Sequence, residues 1–245
     1  PLDQRCALAV EPFERGTGVS VRPVQYDIEL PRLHAWNANV QQELFTDWVL
    51  TLGYAGSRGQ HLWRNSDVNV PAPATLAAGT LFYRAGLTRP NRSFSAIELK
   101  SSDGDSWYRA LIVDVRKRWS HGVQLQSSYT WSTSEDTTQN ATFFSDSTTA
   151  GVSAMPEFIE DYNKGLSDFH AAHNWILNLV WDLPRTPAGG LAGALANGWR
   201  VSGLLRMRSG SPLTPMLQTN RSRSLWSPSL GPGTGPDRPS YAPGH

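Results

Sequence analysis

The stretch Val123-Gln124-Leu125-Gln126-Ser127-Ser128-Tyr129-Thr130-Trp131-Ser132 decides the fold. Val123, Leu125, Ser127, Tyr129 and Trp131 share one parity, and Gln124, Gln126, Ser128, Thr130 and Ser132 share the other. Successive side chains of an extended chain point to opposite faces. Strict alternation therefore predicts a strand with one apolar and one wet face.

Five further segments read the same way. Residues 33–45 set Trp36, Ala38, Val40 and Leu44, with Gln42 an exception, against Asn37, Asn39, Gln41 and Glu43. Residues 48–55 align Trp48, Leu50, Leu52 and Tyr54. Residues 107–118 set Leu111, Val113 and Val115 against Asp114, Arg116 and Arg118. Residues 173–183 set Trp175, Leu177, Leu179 and Trp181 against Asn174, Asn178 and Asp182. Residues 199–209 set Trp199, Val201, Leu205 and Met207 against Arg200, Ser202, Arg206 and Arg208. The segments run about 8–13 residues, where a soluble strand averages about 5–6 and a tilted strand crossing a bilayer needs about 9–11.

The connectors alternate in kind. Phe45-Thr46-Asp47 and Trp119-Ser120-His121-Gly122 are short, and 184–198 is longer and rich in Gly, Ala and Pro. Long polar stretches, 56–106 and 133–172, separate the pairs. Structureless loops beyond about 12–15 residues are uncommon in compact soluble domains. Outer-membrane barrels combine short periplasmic turns with long extracellular loops.

The aromatic residues sharpen the choice. With the strands in up-and-down order, Trp36, Tyr54, Trp107, Tyr129, Trp131 and Trp175 fall at the outer ends. Phe45, Trp48, Trp119, Trp181 and Trp199 fall at the inner ends. Aliphatic residues lie between. Two aromatic girdles around an aliphatic band mark a membrane barrel, because amphipathic rings settle at headgroup level. A soluble β-sandwich, holding its Trp in a core or a sugar-binding groove, is the alternative. A core would place Trp mid-strand more often than at both ends.

Composition agrees. Of 245 residues, 18% are charged, below the usual quarter or so, and mean hydropathy is −0.39. The net charge of +1 gives no electrostatic case for nucleic acid. Cys6 is the lone cysteine, so neither an internal disulfide nor a multi-cysteine zinc site can form. No apolar run approaches the roughly 18 residues of a membrane helix. The opening Pro1-Leu2-Asp3 shows no secretory leader pattern. The expected fold is all-β: an antiparallel up-and-down transmembrane β-barrel segment of about six long strands.

Several stretches resemble the Oar-like, carboxypeptidase-regulatory-domain group of TonB-dependent receptors. They include Ala35-Trp36-Asn37-Ala38-Asn39-Val40-Gln41-Gln42-Glu43-Leu44 and Leu52-Gly53-Tyr54-Ala55-Gly56-Ser57-Arg58-Gly59-Gln60-His61-Leu62. Ser106-Trp107-Tyr108-Arg109-Ala110-Leu111, Ser128-Tyr129-Thr130-Trp131-Ser132 and Ser167-Asp168-Phe169-His170-Ala171-Ala172-His173 follow. So do Trp181-Asp182-Leu183-Pro184, Asn197-Gly198-Trp199, Ser209-Gly210-Ser211-Pro212-Leu213-Thr214 and Asp237-Arg238-Pro239. Their order and spacing, more than any one of them, carry the resemblance. It implies that residues 1–245 are part of a receptor barrel of about 22 strands. The signal peptide, plug domain and aromatic-ended last strand of such a receptor are absent from this stretch. It further implies outer-membrane lipid, a TonB complex reached through the plug, and a bulky nutrient as partners, with no cofactor.

Candidate sites are few. Asp168, His170 and His173 form a D-x-H-x-x-H pattern, but no second cluster supplies further metal ligands, and they read as polar residues at a loop end. Ser209-Gly210-Ser211 lacks nucleophile-elbow spacing, and Gly56-Ser57-Arg58-Gly59 lacks the ending of a P-loop. Asp114, Arg116, Arg118, Arg206 and Arg208 are expected to face a lumen or plug. The acidic loop residues Glu135, Asp136, Asp146, Glu157, Glu160 and Asp161 lack EF-hand spacing and read as solvated. No catalytic or metal residue is assigned, and the ligand-binding residues stay open. The expected function is transport, with an adhesive or structural outer-membrane barrel and a carbohydrate-binding sandwich as alternatives.

Overall fold

The computed structural model describes residues 20–76, 81–137, 163–187, 189–213, 215, 217 and 219–226. Its strands are β1 (Arg32–Phe45), β2 (Trp48–Asp67), β3 (Ala74–Thr75), β4 (Leu81–Phe82), β5 (Glu98–Ser120), β6 (Val123–Asp136), β7 (Gly165–Leu166), β8 (His173–Asp182) and β9 (Arg200–Arg208). One short helix, α1 (Gly190–Ala196), precedes β9, and among the described residues no helix is long and apolar enough to cross a membrane.

The main sheet runs β1-β2-β5-β6-β8-β9, every neighbour antiparallel, with β7 beside β6. The six alternating segments thus become six consecutive wall strands in up-and-down order. β3 and β4 form a separate small pair.

The register joins the six apolar faces into one. Val40 pairs with Leu52, Leu52 with Val113, Val113 with Tyr129, Tyr129 with Trp175, and Trp175 with Met207. A slip of one residue at any pair would have turned a strand's apolar set to the wrong side. On the opposite face Asn39 meets Gly53, Thr51 meets Asp114, Asp114 meets Ser128, and Ser128 meets Ile176.

Exposure decides what the apolar face is for. On the central strands Leu52 is 46% exposed, Tyr54 44%, Leu111 45% and Trp131 57%. The only buried apolar residues of the wall strands are Val49 and Ala110, and both belong to the polar face. A soluble sandwich would bury the aliphatic set between two sheets. Here that set faces outward, as a wall in lipid requires.

Turn chemistry closes the inner end. His121 (φ 50°) and Gly122 (φ 74°) both take the left-handed region, as a two-residue type I′ hairpin loop demands. At the β1–β2 turn Asp47 has φ 73°, and its carbonyl accepts from the Arg118 amide at 2.7 Å. In the third connector Asn197 holds the loop closed, its Oδ1 accepting from the Thr186 amide at 2.6 Å. Leu191 and Leu195 of α1 and neighbouring Trp199 are exposed.

Three expectations need correction. Residues 56–106 are not a loop throughout, since β2 continues to Asp67 and β5 begins at Glu98. Within 133–172, β6 continues to Asp136 and β7 pairs back onto it. Trp119 leaves the girdle: a register shift between Lys117 and Ser120 breaks its alternation, and its ring lies 5.3 Å from the Arg200 guanidinium. The wall strand reaches farther inward on the apolar face instead with Lys117, opposite Trp48. Its Nζ turns back to donate to Ser120 Oγ (2.6 Å) and to the Ser120 (2.9 Å) and Val123 (3.2 Å) carbonyls. A lysine at the rim keeps its charge out of hydrocarbon this way.

Candidate functional site

Two surfaces can meet a ligand: the polar face of the wall and the head that the long hairpin carries. Their heights follow from strand geometry. Trp48 and Arg58 lie ten residues apart on β2, or about 34 Å along the strand. At a tilt of about 40° that is about 26 Å of height, matching the apolar band of about 25 Å. β2 runs nine residues further to Asp67, so the hairpin projects about 30 Å along its strands beyond the band.

The head is built on buried polar groups. Asp67 is 2% exposed. Its Oδ1 accepts from the Asn69 (3.0 Å) and Ile97 (3.1 Å) amides, and its Oδ2 accepts from Arg89 Nη1 at 2.9 Å. Arg89 also donates from Nη1 to the Asn69 carbonyl (3.0 Å) and from Nη2 to the Leu225 carbonyl (2.6 Å). Asn69 Nδ2 donates to the Asn91 and Phe94 carbonyls, each at 3.0 Å. Fully partnered, such a network fixes one arrangement of several loops. It ties residues 219–226, downstream of the last wall strand, to the loop after β2. Trp226, fully buried, meets Val70 there. Residues 21–25 run parallel beside the start of β5, through Val21–Ile97 and Val24–Lys100.

The polar face carries amides and charges. Asp114 accepts from Arg116 Nε (2.9 Å) and Gln126 Nε2 (3.3 Å). Arg200 grips Asp182 through a two-pronged pair at 2.5 and 3.0 Å. Arg206 stands opposite Ile176 in the row of Asp114 and Ser128. Arg208 Nη2 donates to the Phe169 carbonyl at 3.1 Å. Arg116 and Arg118 share Asp114's parity, and the Arg118 amide serves the inner turn.

Asp168, His170 and His173 are sent apart. His173 Nδ1 lies 2.7 Å from the Tyr129 hydroxyl on the apolar face, with the two rings stacked at 6.1 Å. His170 Nδ1 accepts from the Ser134 amide at 3.2 Å. Among the described residues, no three potential ligands converge on a metal position. Of the acidic loop residues, Glu135 lies 3.7 Å from Arg109 and Asp136 is buried. Asp146, Glu157, Glu160 and Asp161 lie outside the described residues.

Sequence reading missed Asp67, Asn69 and Arg89. The run Asp67-Val68-Asn69-Val70 does alternate, which was the available signal.

An up-and-down antiparallel wall with a continuous outward apolar face and a polar inner face defines a membrane-spanning β-barrel. The family profile described as outer membrane beta barrel domain matches residues 5–245, and the chain belongs to that family. It is a protein of the outer membrane. No curated protein and no solved structure matches the chain.

Proposed function

We propose that this barrel wall belongs to a TonB-dependent receptor of the Oar-like group, importing a bulky nutrient by binding and gating rather than by catalysis. One observation carries the reading: a face rich in amide and charged side chains, with apolar residues such as Ile112 and Ile176 among them, that continues across all six wall strands. Asn37, Asn39, Gln41, Gln124, Gln126, Asn174, Asn178, Arg206 and Arg208 lie on it by register. Small barrels fill their interior with their own side chains. An amide-rich inner face suits a plug and a passing ligand of many hydrogen-bonding groups, such as a glycan, a peptide or a metal complex. The projecting head offers the first contact outside the membrane. The order and spacing of the resembling motifs supply the remainder, and the TonB complex is then a partner reached through the plug.

The test is uptake in the native host. A strain lacking the gene is compared with its parent over labelled oligosaccharides, peptides and metal chelates, with and without a protonophore. The reading expects one class whose uptake is lost on deletion and on de-energisation alike. Open-pore conductance of the full-length protein in planar bilayers would contradict it. So would lost surface adhesion with every uptake intact, which is the adhesive alternative.

A further inference from the structure

The third inner connector carries a short apolar helix with little beneath it. α1 is seven residues long, Gly190-Leu191-Ala192-Gly193-Ala194-Leu195-Ala196, and has no polar or charged side chain. A helix this short is marginal in water and needs its apolar face packed against something. Of its residues only Gly193 is buried. Leu191 and Leu195 each stand two positions from Gly193, about 200° around the helix, so they share the face turned away from the protein. Leu191 is 84% exposed and Leu195 69%.

Trp199 fixes where that face lies. By parity it continues the lipid-facing row of β9, two residues before Val201, which pairs with Trp181. Its carbonyl accepts from the Leu183 amide at 3.0 Å, so the ladder still holds it. Gly198 (φ 84°) turns the chain, and Trp199 Nε1 donates to the Leu195 carbonyl at 2.6 Å. That carbonyl is among the last four of the helix, which lack intrahelical donors. An inner-girdle indole thus tethers the end of α1 to the lipid side of the wall. Asn197 Nδ2, donating to the Thr186 carbonyl at 3.2 Å, holds the rest of the connector. Continuity with the girdle selects the occupant. Tryptophan settles at headgroup level, and the apolar face of an interfacial helix lies in the membrane plane at the same depth.

We propose that α1 is an interfacial anchor: Leu191 and Leu195, beside Trp199, insert among the phospholipid acyl chains of the periplasmic leaflet. The anchor rests on the membrane orientation and is independent of the transport reading.

The test uses the full-length protein, carrying Cys6→Ser, in vesicles of phosphatidylethanolamine and phosphatidylglycerol. A fluorophore is attached singly at Leu191→Cys, Leu195→Cys or Thr51→Cys, the last on the polar face. A lipid bearing a nitroxide just below its headgroup should quench the labels at 191 and 195 more than aqueous iodide does. It should leave the label at 51 unquenched. A label can itself drive insertion, so a further one is placed at Ala194→Cys, about 60° around the helix from Leu191. Lipid quenching there should be present with both leucines intact and mostly lost in Leu191→Asn/Leu195→Asn. Should that variant fail to fold, judged by heat-modifiable migration, Leu191→Asn alone should still lose part of it. Stronger quenching by iodide at 191 and 195 would put the face in water, and quenching by neither would put it against a protein partner such as a plug. Either result would overturn the anchor, as would equal lipid quenching at 51 or unchanged lipid quenching at 194 in the asparagine variants.

Discussion

Trp36 stands directly opposite Gly56 across the β1–β2 ladder, and its indole occupies the space a side chain at 56 would need. A Cβ built on Gly56 would lie 2.6 Å from the ring. The glycine is there to let an outer-girdle tryptophan lie flat against the wall. Gly56→Val should displace the ring and cost about 1–3 kcal/mol, the usual range for overpacking. Denaturant unfolding of the full-length protein in detergent, followed by tryptophan emission, measures it. Unchanged emission and midpoint would contradict the packing.

The two faces should respond oppositely to charge. Leu52→Arg or Val113→Arg places a cation in the apolar band and should cost about 2–4 kcal/mol. Thr51→Arg, one residue away on the polar face, should stay within about 0.5 kcal/mol, as surface changes do. Unfolding from lipid vesicles reads both. Similar losses at positions 51 and 52 would mean that the faces are not distinct.

The head hangs on the Asp67–Arg89 pair. Asp67→Ala leaves a largely buried guanidinium without its carboxylate, a change that costs about 3–5 kcal/mol in buried pairs. The loss should be local, because Arg89 also carries the Leu225 carbonyl. Amide exchange should quicken at residues 219–226 and around Asn91 while the wall strands stay protected. Protection of 219–226 equal to the parent's would contradict the lock.

The inner hairpin depends on backbone hand. Gly122→Ala puts a side chain at φ 74° and should destabilise the β5–β6 turn, with about 1 kcal/mol as the expected scale. His121→Gly should be neutral or better, since His121 already pays this strain at φ 50°. Folding yield into vesicles compares the two variants.

The wall was legible in the sequence because lipid on one side and water on the other force a period of two. Residues 123–132 show it directly, and the parity with which β6 pairs β5 and β8 agrees with it. The extensions of β2 and β5 were hidden for the same reason. Beyond the band both faces are wet, so Gly59-Gln60-His61 and the residues after them need no alternation, and only the backbone ladder marks them as strand. Trp119 misled because a bulge is a backbone event that residue type does not announce. The head was illegible because its bonds join residues far apart in the chain, Arg89 to Asp67 and to Leu225. The candidate ligand surface is thus half visible: its polar face could be read, but its head could not.

The central claim is that one parity of these strands touches lipid and the other does not. Spin labels placed singly at 123–132 of the full-length protein in vesicles test it most directly, with Cys6 replaced by Ser. Oxygen, which concentrates in lipid, should relax the labels at 123, 125, 127, 129 and 131 more than their neighbours. A water-soluble nickel chelate should favour 124, 126, 128, 130 and 132. Uniform accessibility, or maxima of the opposite parity, would contradict the membrane wall.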